Sequence, residues 1–171
     1  AAGAIGGVSD AGGERRRFAN GVLSQMDRSY LAAIQTYNRL LAQRNKMLKD
    51  GIVDWDLMDV FDARMAAAAQ PVHEARKRLA EGLRPVIRRY YELISGGGEE
   101  VSVEYRSDLE KAPLEELLKA CRERDAALRF TSSGIQRDDF LFTMDGHPIR
   151  RCGSQGQQKS FRRLPQVRAV R

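Results

Sequence analysis

Residues 153–160, Gly-Ser-Gln-Gly-Gln-Gln-Lys-Ser, put two glycines, two hydroxyls, three amides and a lysine in one short stretch near the C-terminal end. Glycine lets a backbone approach a phosphate closely, and a helix N-terminus adds unpaired N–H donors and a favourable dipole. The spacing is not that of a Walker loop, G-x-x-x-x-G-K-[ST]. On composition alone the stretch fits a polar turn as well as an anion site. Arg137-Asp138-Asp139 offers paired acids suited to a metal or to general acid/base work, although Asp at a strand start more commonly makes a turn or cap. Arg15-Arg16-Arg17 can contact nucleic acid or a nucleotide, but three successive residues fan around a helix rather than forming one stripe. His73, mid-helix beside Glu74, reads as solvated, and His147 as structural; neither has a partner at metal-ligand spacing. Tyr30, Tyr37, Tyr90 and Tyr91 read as core residues rather than a base-stacking platform. Spacing alone assembles no self-sufficient catalytic site, so no catalytic residue and no metal ligand is assigned.

The wider chain must position these groups. Its 171 residues suit one domain or part of a larger protein, and 42% hydrophobic content is enough for a core. Charge at 30%, no apolar run of membrane-spanning length and no basic-then-apolar leader point to the cytoplasm rather than a membrane. Cys121 and Cys152 stand far apart without a CxxC, which supports neither zinc nor a disulfide framework. The net charge of +6 is local: seven of the 29 basic residues lie in 147–171, where there is no acid, and the other 22 face 23 acids. The basic pI is therefore weak support for DNA binding.

The expected class is α+β: a mostly helical domain of long antiparallel helices, then a small strand and hairpin region. Residues 1–13 read as a flexible lead-in, with Ser9 or Asp10 as a possible cap. Phe18, Val22, Leu23 and Met26 share one face of a first helix, and Asp27 and Ser29 mark a stop and restart. Tyr30, Leu31, Ile34, Tyr37, Leu40, Leu41 and Leu48 form the stripe of a second helix, with Arg39, Arg44, Lys46 and Lys49 on other faces and Asp50-Gly51 as its end. A third helical stretch runs from about Asp54 to Ile94, which Pro71 and Pro85 should kink or divide. Its apolar positions include Trp55, Met58, Val60, Met65, Val72, Ile87 and Leu93. Ser95-Gly96-Gly97-Gly98 breaks it, so 14–95 reads as the helical domain. Val101–Tyr105 alternates as a strand, Leu114 to Leu128 is helical behind Pro113, and Phe140–Met144, Asp145-Gly146, His147–Ile149 reads as a hairpin with a type I′ turn. The glycine-rich stretch follows it directly, ending a strand–helix–hairpin region over 96–161.

Taken in order, these segments resemble the RecF family, the SMC-like, ABC-type ATPases of bacterial recombinational repair. Glu14-Arg15-Arg16-Arg17-Phe18 resembles E-R-R-R-F-L-D, followed by Ser24-Gln25-Met26-Asp27 and Tyr30-Leu31. Tyr37-Asn38-Arg39 with Gln43-Arg44-Asn45 is similar to Y-N-R and Q-R-N, and Ser95-Gly96-Gly97 before the strand also fits. Thr131 to Asp139 resembles T-x-G-P-H-R-D-D, and Gly153 to Gln158 resembles the signature G-S-Q-G-Q-Q. The resemblance covers about residues 10–161. It implies that the hairpin leads into the ABC-type signature helix of a P-loop NTPase head. It further implies that Ser154, Gln155, Gly156 and Gln157, with Lys159 as a weaker candidate, contact in trans an ATP held by a second subunit. ATP would then join a homodimer that holds DNA at single-strand gaps or junctions and loads RecA with RecO and RecR.

The departures are equally specific. Ile135 and Gln136 stand where the motif has proline and histidine, so no role of that histidine transfers. Neither a Walker A loop nor an apolar strand ending in acids is present, which reads as an internal piece whose missing head parts would supply Mg2+ and the phosphate cradle. Such a piece should not hydrolyse ATP alone. After Phe161 the family continues with an apolar helix, whereas 162–171 is basic and carries Pro165. Codons can be chosen for 161–171 such that deleting one base yields an amphipathic continuation, so 162–171 reads as an out-of-frame tail. Without its four arginines the net charge is +2. The rival reading is a stand-alone helical interaction module with no nucleotide role.

Overall fold

Asp27 separates the first two helices of the chain. It sits in an extended conformation between α1 (Ala11–Met26) and α2 (Arg28–Asp50), and its carboxylate accepts from the Ser29 backbone N–H and hydroxyl. In the computed structural model, which describes residues 11–149, three long helices are followed by two short ones and a small sheet. The fold is α+β and mostly helical. Ser9, Asp10 and the stretch from Arg150 onward, including Cys152 and the signature, lie outside the described residues. α1 begins within the Gly/Ala-rich stretch, so Gly12 and Gly13 are helical. A Cβ on Gly12 would lie 3.3 Å from Arg16 Nη1, so that turn packs closely on its own basic side chains.

The described chain falls into two units: one from residues up to 77 with 106–139, the other from 78–105 with 140 onward. In the first, Gly51 closes α2 in the left-handed region, at φ 77°, donating to the Leu48 carbonyl. α3 (Trp55–Ser95) then runs back antiparallel to α2, since Tyr30 meets Arg76 and Arg44 meets Asp62. Tyr30, Ile34, Tyr37, Leu40 and Leu48 of α2 are buried, as are Met58, Met65, Ala69, Val72 and Ala75 of α3. The tyrosine expectation holds for Tyr30, Tyr37 and Tyr91, all core residues.

Several expectations change. On α1 the buried positions are Ala19 and Leu23, whereas Phe18 and Met26 are exposed; Leu31, Val60 and Leu93 are exposed as well. α3 passes through Pro71 and Pro85 undivided, because each proline is exposed and loses only one backbone bond in a well-buried helix. His73 is buried rather than solvated, with Nε2 3.7 Å from Glu110 Oε1. The 114–128 segment forms two helices, α4 (Leu114–Ala120) and α5 (Arg122–Leu128), which turn at Cys121. That turn buries Asp125 and leaves Leu128 exposed. Cys121 is a free thiol whose Sγ lies 3.3 Å from Ser133 Oγ.

The second unit holds all but the end residues Arg106 and Asp139 of the sheet, in the order β1 (Val101–Arg106), β2 (Asp139–Met144), β3 (His147–Pro148). β1 and β2 lie in one antiparallel register: Asp145 N donates to the Glu100 carbonyl, Thr143 Oγ1 to the Ser102 carbonyl, and Tyr105 stacks on Phe140 at 5.2 Å. Asp145 and Gly146 both have positive φ, 51° and 80°, which is the expected type I′ turn; Met144 pairs with His147. His147 is exposed on β3.

Candidate functional site

The family-like segment 131–139 has little regular structure, a short 3-10 turn at Ile135–Arg137 and the first residue of β2. Such a segment must find partners for its backbone elsewhere. Buried Arg76 provides one, and a second buried arginine, Arg44, holds the segment through the Thr131 side chain. Arg76 on α3 donates through Nη1 to the Ile135 carbonyl and to Asp138 Oδ2, both at 2.8 Å, through Nη2 to Asn20 Oδ1 at 2.9 Å, and through Nε to the Tyr30 hydroxyl at 3.2 Å. Burial works against its charge, but Tyr30 and Asp138 outweigh burial and raise its pKa. Arg44 on α2, fully buried, donates through Nε to Asp62 Oδ1 at 3.0 Å and through Nη1 to Asp125 Oδ2 at 2.8 Å and Thr131 Oγ1 at 2.9 Å. Asp125 in turn accepts from the Ser132 hydroxyl and backbone N–H. Arg44 is therefore a core residue and not part of a solvated face.

The middle of the segment is equally tight. Gly134 has φ 138°, and its N–H donates to Asp108 Oδ2 at 3.1 Å. A Cβ there would overlap the Tyr37 hydroxyl and the Gln136 side-chain oxygen, which are hydrogen-bonded to each other. Gln136 Nε2 donates to the Ser133 carbonyl at 3.0 Å. Where the family motif has histidine, this chain thus has an amide held by Tyr37. Burial drives the Tyr37 hydroxyl strongly up from its ordinary pKa.

Asp138 is buried and receives Arg76. Asp139 takes Arg15 in a two-pronged pair, Nε to Oδ1 at 2.7 Å and Nη2 to Oδ2 at 3.1 Å. The paired acids therefore receive arginines, rather than merely capping a strand. Among the described residues, no group of three or more His, Cys, Asp or Glu could hold a metal. The basic run does fan as expected: Arg15 turns to Asp139, Arg16 donates from Nη1 to the Asp138 carbonyl at 3.0 Å, and Arg17 is exposed. Arg76 and Arg44 were not recognised as anchors in the sequence. Their signal was a charge at a stripe position: Arg44 falls four residues from both Leu40 and Leu48, and Arg76 four from Val72 and Ala80. A third arginine, Arg122, meets Asp59 and Asp62 and lies 5.4 Å over the Trp55 ring.

Comparison with known proteins places this arrangement. The DNA replication and repair protein RecF of Parabacteroides distasonis is 45% identical over 157 residues, 92% of this chain and 42% of its own length. This chain is thus similar to RecF proteins over most of its length. RecF of Porphyromonas gingivalis is 44% identical over 149 residues, 86% of the chain and 41% of the relative. The chain thus spans about two fifths of the length of the RecF proteins it matches. No family model matches it. In fold, it matches a solved structure of the recombination mediator protein RecF-ATP in the RecFOR pathway, with a TM-score of 0.80 at 24% identity over 90% of this chain and 44% of that one. A related RecF-ATPrS structure gives a TM-score of 0.81 at 23% identity.

Proposed function

We propose that this chain is the helical domain and signature-bearing part of a RecF-like protein of DNA repair, replication and recombination. In this reading residues 14–95 are the helical domain, and 96–161 lead into the signature helix of an ABC-type head. Ser154, Gln155, Gly156 and Gln157, with Lys159, contact ATP held by a second copy; Mg2+ comes with the parts of the head that this sequence does not include. ATP joins the dimer, the dimer engages DNA at gaps, and RecO and RecR act with it in loading RecA. The observation that carries the reading is the 45% identity extending over 92% of the chain. It runs through a segment, 131–139, that two buried arginines hold, Arg76 at the Ile135 carbonyl and Arg44 at the Thr131 hydroxyl.

A chimera tests it. Residues 10–161 replace the matching segment of the Parabacteroides distasonis RecF, and the chimera is expressed in a host lacking its own RecF. Survival after DNA damage should be restored. A soluble, folded chimera that leaves the host as sensitive as the empty vector would rule the reading out. In the same chimera, Ser154→Ala with Gln157→Ala should abolish ATP-dependent dimerisation in sedimentation while the protein stays monomeric and folded.

A further inference from the structure

In the first unit, α1, α2, α3 and the Ile135–Arg137 turn enclose a cleft of about 280 Å3. Arg16, Arg17 and Arg76 line it with the amides of Asn20, Asn38 and Gln136, and among the described residues no aspartate or glutamate does. Arg76 is held in place by its four bonds, so it acts as a fixed charge at the cleft floor. Asn20 Oδ1 already accepts from Tyr30 and Arg76, which leaves its Nδ2 to donate elsewhere. Arg16 is the least settled cation: burial first, and then Arg76, lower its pKa. Asp139 and Asp138 oppose that lowering, and a bound anion would add to their stabilising charge.

We propose that this cleft binds one phosphodiester of a nucleic-acid backbone, with Arg16 and Arg17 supplying charge and Asn20 and Asn38 supplying neutral donors. The size and lining select this ligand. Pockets for whole small molecules occupy roughly 300–1,000 Å3, so this cleft suits a phosphate and its sugar better than a complete nucleotide. Among the described residues no aromatic side chain lines it, so they offer no stacking surface for a base. The contacts are to backbone only, so they hold DNA without reading sequence. The inference rests on the reading that this chain engages DNA, and names where.

The test is fluorescence anisotropy of a short labelled duplex with the full 171-residue chain over a range of salt. Arg16→Gln with Arg17→Gln should weaken binding about tenfold or more and flatten the dependence of log K on log salt by about 1, the share of one phosphate no longer neutralised. Arg64→Gln, an exposed arginine on α3, should change affinity by no more than roughly twofold. Asn38 is exposed on the cleft rim, so Asn38→Glu and Asn38→Arg alter the field without touching the Arg16 bond to Asp138. They should weaken and tighten binding respectively. Duplex binding by the parent chain with an unchanged salt slope in the double variant, or no response to either Asn38 change, overturns the cleft while leaving DNA binding standing. No duplex binding by the parent overturns both. Competition by free ATP that depends on Arg16 and Arg17 and exceeds that of the duplex would make the ligand a nucleotide phosphate and overturn the backbone assignment.

Discussion

A guanidinium taken out of water loses its hydration, and only a nearly complete set of acceptors offsets that loss. Arg76 meets this condition, whereas Arg44 meets it only in part, because its buried Nη2 has no hydrogen-bond partner among the described residues. Arg44 is closed between two buried carboxylates and a hydroxyl, whereas Arg76 takes one carboxylate, one carbonyl, one amide and one phenol. Both bring chemically varied, sequence-distant partners to one irregular segment. That segment tolerates no side chain at position 134. Gly134→Ala combines a backbone conformation that side chains rarely adopt with overlap on Tyr37 and Gln136. The expected cost is on the order of 3 kcal/mol, read as a lower urea midpoint with an unchanged slope. A midpoint within error of the parent would mean that the loop is looser than its bonds imply.

At the scale of elements, the helices and hairpin were legible because they depend on local rules. Asp27 caps, Gly51 terminates, and Asp145-Gly146 turns where the residue types require it. Boundaries set by tertiary packing were less legible. The turn at Cys121 exists because Asp125 must face Arg44, and no periodicity within 114–128 announces a partner on α2. The same limit hid Arg44, whose position on an apolar stripe looked like a charge to be excluded from it. The prolines show packing overriding a local rule. Pro71 and Pro85 are exposed inside an unbroken α3, so each carries a penalty that the surrounding burial outweighs. Pro71→Ala should therefore stabilise the protein by roughly 1–3 kcal/mol, seen as a rise in Tm. A fall in Tm would show that the proline fits a local bend on which the helix depends.

For the molecule as a whole, the tyrosines set an alkaline limit. Burial raises Tyr30 and Tyr37, and burial together with the hydrogen bond to Glu99 pushes Tyr91 up to about 12. Unfolded tyrosines ionise near 10. Between about pH 10 and pH 12 the native state keeps a proton at Tyr91 that the unfolded chain has released, so stability falls as pH rises. It is fully retained below pH 10. Urea midpoints measured across this window should fall for the parent and flatten for Tyr91→Phe; a rising midpoint would contradict the assignment.

The distance along the chain between the arginines and their partners has a kinetic meaning. Arg15 and Asp139 are 124 residues apart, and Arg76 and Asp138 are 62 apart, whereas the α2–α3 hairpin joins Arg44 to Asp62 over 18. Closing long loops is slow relative to pairing neighbours in sequence. The helical hairpin is thus expected to assemble first with one face of its arginines unpaired, and 131–139 to settle onto it late. Late contacts govern how quickly a fold opens more than how quickly it forms. The family-like segment 131–139 then sets the lifetime of the folded state rather than its speed of arrival.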